Sequence, residues 1–254
     1  MSSSEAGRAA PSAPDFGPLA ESYDRLRPVD RNWHELVELL VEAGDLAGRR
    51  VLDVGAGTGA LAAALVERGS RVWGVDAAPE MVAVANRGAS RTARFKEGKA
   101  EALPFKDGWF ERAVLRLVVH LVDRALALPE VARVLAPGGR AVVATFDPAH
   151  FSGFWLNRIF PSIERIDRAR FPEPDRLAGE LEEAGFADVE TRGLVQRSTI
   201  PRAEALERIR GRYISTLRLL DDDELESGTA AAERELPETI AIELHWAVLV
   251  AKRA

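Results

Sequence analysis

Residues 51–65 read VLDVGAGTGALAAAL. A short apolar run holding one acid, Asp53, passes into Gly55, Gly57 and Gly59 and then directly into an Ala/Leu-rich stretch at 60–68. A strand turning through glycines into a helix leaves free N–H groups and a positive dipole end beside the turn. Glycine there permits positive φ and lets a ligand come close to the backbone.

Outward from this turn the period alternates. Strands are expected at 50–55, 72–76 (VWGVD), 93–98, 112–119 and 140–146 (RAVVATF), with helices at 60–68, 79–86 and 123–135 and a turn at Pro137-Gly138-Gly139. Upstream, Trp33, Leu36, Val37, Leu40 and Val41 share one helical face, and Gly44 is expected to end that helix. Such alternation means βαβ units, a parallel sheet and right-handed crossovers. After Asp147 it breaks. Residues 151–170 read as helical, 175–184 as a helix capped by Asp175 and ended by Gly185, and 187–196 and 242–252 as the last strands. A helical stretch at 202–220 and an acidic run at 221–226 lie between them. The expected fold class is α/β, a Rossmann-like three-layer α/β/α sandwich with a mostly parallel seven-stranded sheet. Residues 15–254 form one domain. Residues 1–14, Ser/Ala/Pro-rich without a hydrophobic signal core, read as a disordered tail.

Bulk composition narrows the function. The 254 residues, 46% hydrophobic and 29% charged, suit a soluble globular protein with a core that needs no staples. There is no cysteine, which excludes disulfides, thiolate metal sites and a Cys nucleophile and fits a cytoplasmic location. Four scattered histidines lack metal-ligand spacing. A net charge of −6 (34 basic against 40 acidic) argues against a nucleic-acid partner. No apolar run approaches the ~20 residues of a membrane span. Oligomeric state is not readable from the sequence.

The glycines fit two cofactor chemistries. Gly55, Gly57 and Ala60 also satisfy the dinucleotide fingerprint, and Asp76, at the end of the second strand, suits ribose hydroxyls in either case. An NAD(P)- or flavin-dependent oxidoreductase therefore stays open. Asp53 favours the other reading. A strand buried on both faces carries an ionisable group only with a partner. A cofactor bearing an α-ammonium supplies one, whereas a pyrophosphate would be repelled. The bland reading is an Asp that caps the glycine loop through backbone N–H groups.

Six ordered blocks extend the pattern: YDRLRP (23–28), VLDVGAGTG (51–59), VDAAPEMVAVA (75–85), EGKAEALPF (97–105), FERAVLRLVVHLV (110–122) and EVARVLAPGGRAVVA (130–144). In this order and spacing they resemble the class I S-adenosylmethionine-dependent methyltransferases, in the branch with the ubiquinone/menaquinone-biosynthesis-type enzymes (methyltransferase type 11). The resemblance covers residues 23–146. It implies an antiparallel last strand and S-adenosyl-L-methionine as cofactor, leaving S-adenosyl-L-homocysteine as product. It implies that Gly55, Ala56 and Gly57 contact the methionine part, with Asp53 near its ammonium. Asp76 would hold the ribose hydroxyls, Ala77 and Met81 would pack on adenine, and Ala100 and Glu101 would line the adenine edge. Tyr23 and Arg27 would approach the methionine carboxylate, and Leu115, Arg116 and Leu117 would floor the site beside the sulfonium. Two departures stand out: Lys99 replaces an Asp that accepts from the adenine amine, which a Lys cannot do, and Glu111 replaces Asp after Phe110.

His120, just past the fourth strand, is the candidate general base; the bland reading is packing or capping. Arg116 suits an acceptor carboxylate or phosphate, or a pairing with Glu111 or Asp123. Trp155, Phe151, Phe154 and Phe160 read as an aromatic lid or as plain core. His34 is expected on the surface, His150 near the mouth and His245 in a structural role. The acidic run reads as a solvated loop or helix start, without metal. The expected activity is methyl transfer by in-line displacement to a small-molecule acceptor (O, N or C nucleophile), with cover from about 149–171 and 202–226. A non-catalytic S-adenosylmethionine-binding module is the third possibility.

Overall fold

A computed structural model describes residues 16–254; the tail expected at 1–14 lies outside them. The elements are α1 (Tyr23–Leu26), α2 (Arg31–Gly44), β1 (Arg50–Val54), α3 (Ala60–Glu67), β2 (Arg71–Asp76), α4 (Pro79–Gly88), β3 (Ala93–Glu97), β4 (Phe110–Arg116), α5 (Arg124–Val134) and β5 (Leu135–Phe146). They continue as α6 (Ala149–Ser152), α7 (Ser162–Arg170), α8 (Pro174–Glu183), β6 (Phe186–Pro201), α9 (Arg202–Arg210), α10 (Asp222–Glu235) and β7 (Thr239–Arg253). Three 3-10 turns, Gly17–Leu19, Trp155–Arg158 and Ser215–Arg218, join them.

The seven strands form one sheet in the order β3-β2-β1-β4-β5-β7-β6. β1 to β5 pair in parallel, and β7 lies antiparallel between β5 and β6. Successive strand residues point to opposite faces. Val51, Val72, Val114 and Val142 therefore meet α2 and α3 on one side. Leu52, Leu115 and Val143 meet α5 and α8 on the other. This is the three-layer sandwich expected. Among the described residues no helix is long and apolar enough to cross a membrane.

Several boundaries differ from expectation. α2 runs through Gly44 and ends at Asp45, which takes the left-handed conformation (φ 50°). Arg49 and Arg112 ion-pair the Asp45 carboxylate and hold it there. Gly44 is instead a contact position: a Cβ on it would lie 2.4 Å from Val142 Cγ2, so glycine lets α2 lie close on β5. α8 is capped by the Glu173 backbone with no side-chain bond, and Asp175 sits inside its first turn, not at the cap. The stretch expected to be one helix at 151–170 is broken into α6, a 3-10 turn and α7. That expected at 202–220 is α9 followed by a 3-10 turn. The acidic run opens α10, where Asp221 accepts the Glu224 N–H at 2.7 Å, a side-chain cap.

The largest difference is the length of the last two strands. β6 and β7 pair from Phe186–Arg253 to Pro201–Thr239, whereas β5 leaves β7 at the Phe146–Trp246 pair. A two-stranded ribbon thus overhangs the carboxyl end of β5. Its apolar face, with Ile200, Ile240 and Ile242, packs against Trp155, Leu156, Phe160, Ile209, Leu217 and Leu225. This third core fixes the helical cover over the end of the parallel strands.

Candidate active site

A cavity of about 630 Å³ opens at the carboxyl ends of β1, β2 and β4, where ligands bind in open α/β sheets. The glycine turn forms its floor. Gly55 and Ala56 donate their N–H groups to the Val75 carbonyl at 2.8 and 3.0 Å. Gly55 has φ 69°, and a Cβ there would lie 2.4 Å from Val118 Cγ2, so no other residue fits this turn without displacement. Asp76 binds the turn to the next helix: Gly57 N–H donates to its Oδ2 at 2.8 Å and Ala78 N–H to its Oδ1 at 2.9 Å. Partial burial raises its pKa, and the backbone N–H groups oppose that rise. Each oxygen retains a lone pair for a ligand hydroxyl.

Around Asp76 the wall is apolar and flat, made by Ala77, Ala78, Pro79 and buried Met81. Lys99, Ala100 and Glu101 close that end. Glu101 Oε1 accepts the Asp123 N–H at 2.9 Å, which anchors the loop after β3 to the start of α5. From the amino-terminal side come Tyr23 and Arg27. Arg27 Nη1 donates to Tyr23 Oη at 2.8 Å, and its Nε and Nη2 donate to the Tyr213 carbonyl at 3.0 and 2.6 Å. Thr58 Oγ1 donates to Asp24 Oδ1 at 2.5 Å, fastening this segment to the glycine turn.

Of the fourteen residues assigned by resemblance to the cofactor, two stand elsewhere. Leu115 is fully buried in the core under the sheet and does not reach the cavity. It points to the face opposite Arg116, because strand residues alternate. Asp53 is 2% exposed and lies behind the glycine turn, outside the lining. Burial pushes its pKa up to about 7, with the Arg116 guanidinium pulling down and the Asp76 carboxylate adding to the rise. Its Oδ2 is buried without a hydrogen-bond partner, so it does not cap the loop with that oxygen.

Arg116 and Leu117 line the cavity as expected. Arg116 stands over the Trp33 ring at 4.9 Å. Its alternative pairings are taken elsewhere: Glu111 faces Arg49 and Arg50, and Asp123 caps α5 through the Ala125 N–H. Leu117 adopts a left-handed backbone (φ 56°), unusual for a non-glycine residue and costing about 1–2 kcal/mol.

The other half of the cavity is aromatic. His120 lies stacked on Phe171 with centroids 3.8 Å apart. Burial, then the positive fields of Arg170, Arg27 and Arg124, hold its pKa well below the usual value. A general base needs the opposite shift, toward neutrality. His150 is buried and stacks on Phe146 at 4.0 Å; burial lowers its pKa to about 4. The aromatic-lid expectation is corrected in part. Phe154 lines the cavity, while Trp155 and Phe160 belong to the core under the ribbon. Phe151 is buried behind the lining against Phe146 and Phe171. His34 is exposed, and His245 Nε2 pairs with Glu243 at 2.7 Å.

Sequence reasoning missed Phe146, Phe171, Asp167, Ser215 and Thr216, all of which line this half. Asp167 had no signal: in SIERIDRAR it looks like one more solvated charge.

The comparisons agree with this geometry. The pattern of the methyltransferase-domain family matches residues 52–143. A demethylmenaquinone methyltransferase of Thermus thermophilus is 35% identical over 203 residues, covering 68% of this chain and 91% of its own length. A methyltransferase of Mycobacterium tuberculosis is 39% identical over 164 residues, covering 63% of this chain; the chain spans 65% of that relative's length. In fold, a Haemonchus contortus phosphoethanolamine N-methyltransferase in complex with S-adenosyl-L-methionine superposes with a TM-score of 0.60 at 20% identity, covering 93% of this chain and 57% of that one. The chain belongs to the methyltransferase-domain family.

Proposed function

We propose that this protein transfers the methyl group of S-adenosylmethionine to a small hydroxyaromatic, quinol-like acceptor. The observation that carries this reading is the division of a single cavity into two halves. One half has a glycine turn, a ribose-ready carboxylate and an apolar adenine wall. The other is built from Phe146, His150, Phe154 and Phe171. The name of the Thermus relative points to the same class of acceptor.

The residues present fit the cofactor. Asp76 would hold the ribose hydroxyls, Ala77 and Met81 the adenine, Tyr23 and Arg27 the methionine carboxylate, and Gly55 to Gly57 the methionine chain. Asp53, whose Oδ2 is buried behind the turn without a hydrogen-bond partner, would answer the ammonium end and ionise against it. When bound, S-adenosylmethionine supplies an electrophilic methyl carbon on a sulfonium. The protein's own contribution is to hold the acceptor's nucleophile in line with that carbon and keep water away, and positioning of this kind can lower a barrier by about 7–11 kcal/mol. A second cavity of about 360 Å³ shares Leu117, Phe146, His150 and Phe154 with the first and continues between α2 and the β6–β7 ribbon. It gives room for an acceptor with an apolar extension.

The test is calorimetric titration with S-adenosylhomocysteine, alongside NAD and NADP, on wild type and Asp76→Ala. Saturable binding of S-adenosylhomocysteine that Asp76→Ala weakens at least roughly 100-fold, the equivalent of about 2.7 kcal/mol, supports the reading. Binding of a nicotinamide cofactor in its place overturns it. With binding established, turnover of labelled S-adenosylmethionine across phenols and quinols separates an enzyme from a binding module.

A further inference from the structure

Asp167 occupies an unusual place for a carboxylate. It sits on α7 at 5% exposure and lines the aromatic half of the cavity. Thr216 Oγ1 donates a hydrogen bond to its Oδ1, and Arg170 Nη1 stands 3.9 Å from the same oxygen. Arg170 is itself fixed, its Nη2 donating to Ser215 Oγ at 3.1 Å and its Nη1 to Thr216 Oγ1 at 3.4 Å. Both contacts fall on Oδ1, so Oδ2 is the oxygen left to accept from a ligand. A purely structural link between α7 and the 3-10 turn at Ser215–Arg218 would need no cavity-facing carboxylate.

We infer that Asp167, held by Thr216 and Arg170, is the recognition site for the hydroxyl of a neutral hydroxyaromatic acceptor. The inference rests on the methyltransferase reading and names the residue that selects its substrate. Ring faces are supplied by Phe146, Phe171 and His120. A hydroxyl donating to a fixed carboxylate makes a charge-assisted hydrogen bond, and such bonds are about twice as strong as neutral ones. The charge beside Asp167 disfavours an ammonium acceptor. Arg170 stands 3.9 Å from its Oδ1 and Arg27 and Arg116 line the cavity, positive charge that offsets the carboxylate for a cation and favours a group about to carry negative charge. His120, kept neutral first by burial and then by neighbouring arginines, serves as a ring face and a hydrogen-bonding group.

The test compares 1-naphthol with naphthalene, titrated into the protein with and without saturating S-adenosylhomocysteine. In wild type 1-naphthol should bind at least roughly tenfold tighter, the worth of one charge-assisted hydrogen bond. Asp167→Ala should abolish the preference while leaving naphthalene and S-adenosylhomocysteine affinities unchanged. Thr216→Val, which removes the donor to Oδ1 at constant shape, should reduce the preference several-fold and decides the matter if the first variant fails to fold. A general loss of pocket structure would weaken both probes alike. Equal binding of the two probes by wild type, a preference that survives Asp167→Ala, or tighter binding of 1-naphthylmethylammonium than of 1-naphthol overturns the inference. Failure of S-adenosylhomocysteine to bind counts against the methyltransferase reading, and the probe ratio measured without it still decides on Asp167.

Discussion

The His120 imidazole lies on the Phe171 ring, with centroids 3.8 Å and planes 14° apart. Phe171 follows α7, so this contact joins the loop after β4 to the cover. A protonated imidazole in this buried stack would carry an uncompensated charge beside Arg170, Arg27 and Arg124. His120 should therefore remain neutral across the physiological range, and its NMR titration should show no midpoint between pH 6 and pH 8. A midpoint there would restore it as a general base.

Asp53 yields a prediction about cofactor binding. With a pKa of about 7 it is partly protonated at neutral pH. A cation placed beside the glycine turn favours the carboxylate, so the pKa falls and a proton is released. Titration of S-adenosylhomocysteine at pH 7 in buffers of different ionisation enthalpy should report net proton release, and less of it in Asp53→Asn. Proton uptake would show that the ammonium lies elsewhere.

The same residue makes stability depend on pH. Between the ordinary carboxylate value of 3.8 and about 7, folded Asp53 keeps a proton that the unfolded chain has lost. Its contribution to stability is present below pH 3.8 and falls as the pH rises through this window. Asp53→Asn removes that slope. Urea unfolding at pH 5 and pH 8 should show the variant gaining on wild type at the higher pH.

Gly228, inside α10, should not be improved by alanine. In an exposed helix such a change stabilises by about 0.5–1 kcal/mol. Here a Cβ would lie 2.3 Å from Phe160 Cε1, and Phe160 is fully buried. Overpacking should instead cost about 1–3 kcal/mol, read as a lowered Tm.

Lys99 lines the end of the cavity proposed for adenine, and a lysine cannot accept a hydrogen bond from an amine. Lys99→Asp restores an acceptor and should tighten S-adenosylhomocysteine binding by roughly tenfold. Unchanged affinity would mean that the side chain points away from the adenine edge.

The parallel half of the sheet, the glycine turn and Asp76 were legible in the amino-acid pattern alone. These are local matters: the period of apolar residues sets strand or helix, and a turn needing positive φ needs glycine at that place. The resemblance also pointed to Tyr23, Arg27, Met81 and Glu101, and His120 was legible just past the fourth strand; all five line the cavity, Met81, Glu101 and His120 on segments that follow strand ends and Tyr23 and Arg27 on the segment before α2. The rest came from packing between segments far apart in the chain. Leu115 lies beside the lining residue Arg116 in the chain yet stands behind the wall, since one step along a strand reverses the face, and Asp53, inside β1, is buried behind the glycine turn that follows it. The overhang of β6 and β7 depends on each strand finding the other across more than thirty residues, as in the Pro201–Thr239 pair, and not on local pattern. Asp167 reads as a surface charge until the cover folds back and buries it against Thr216. Burial and convergence are properties of packing between distant segments, and they decide which charged residue becomes part of a site.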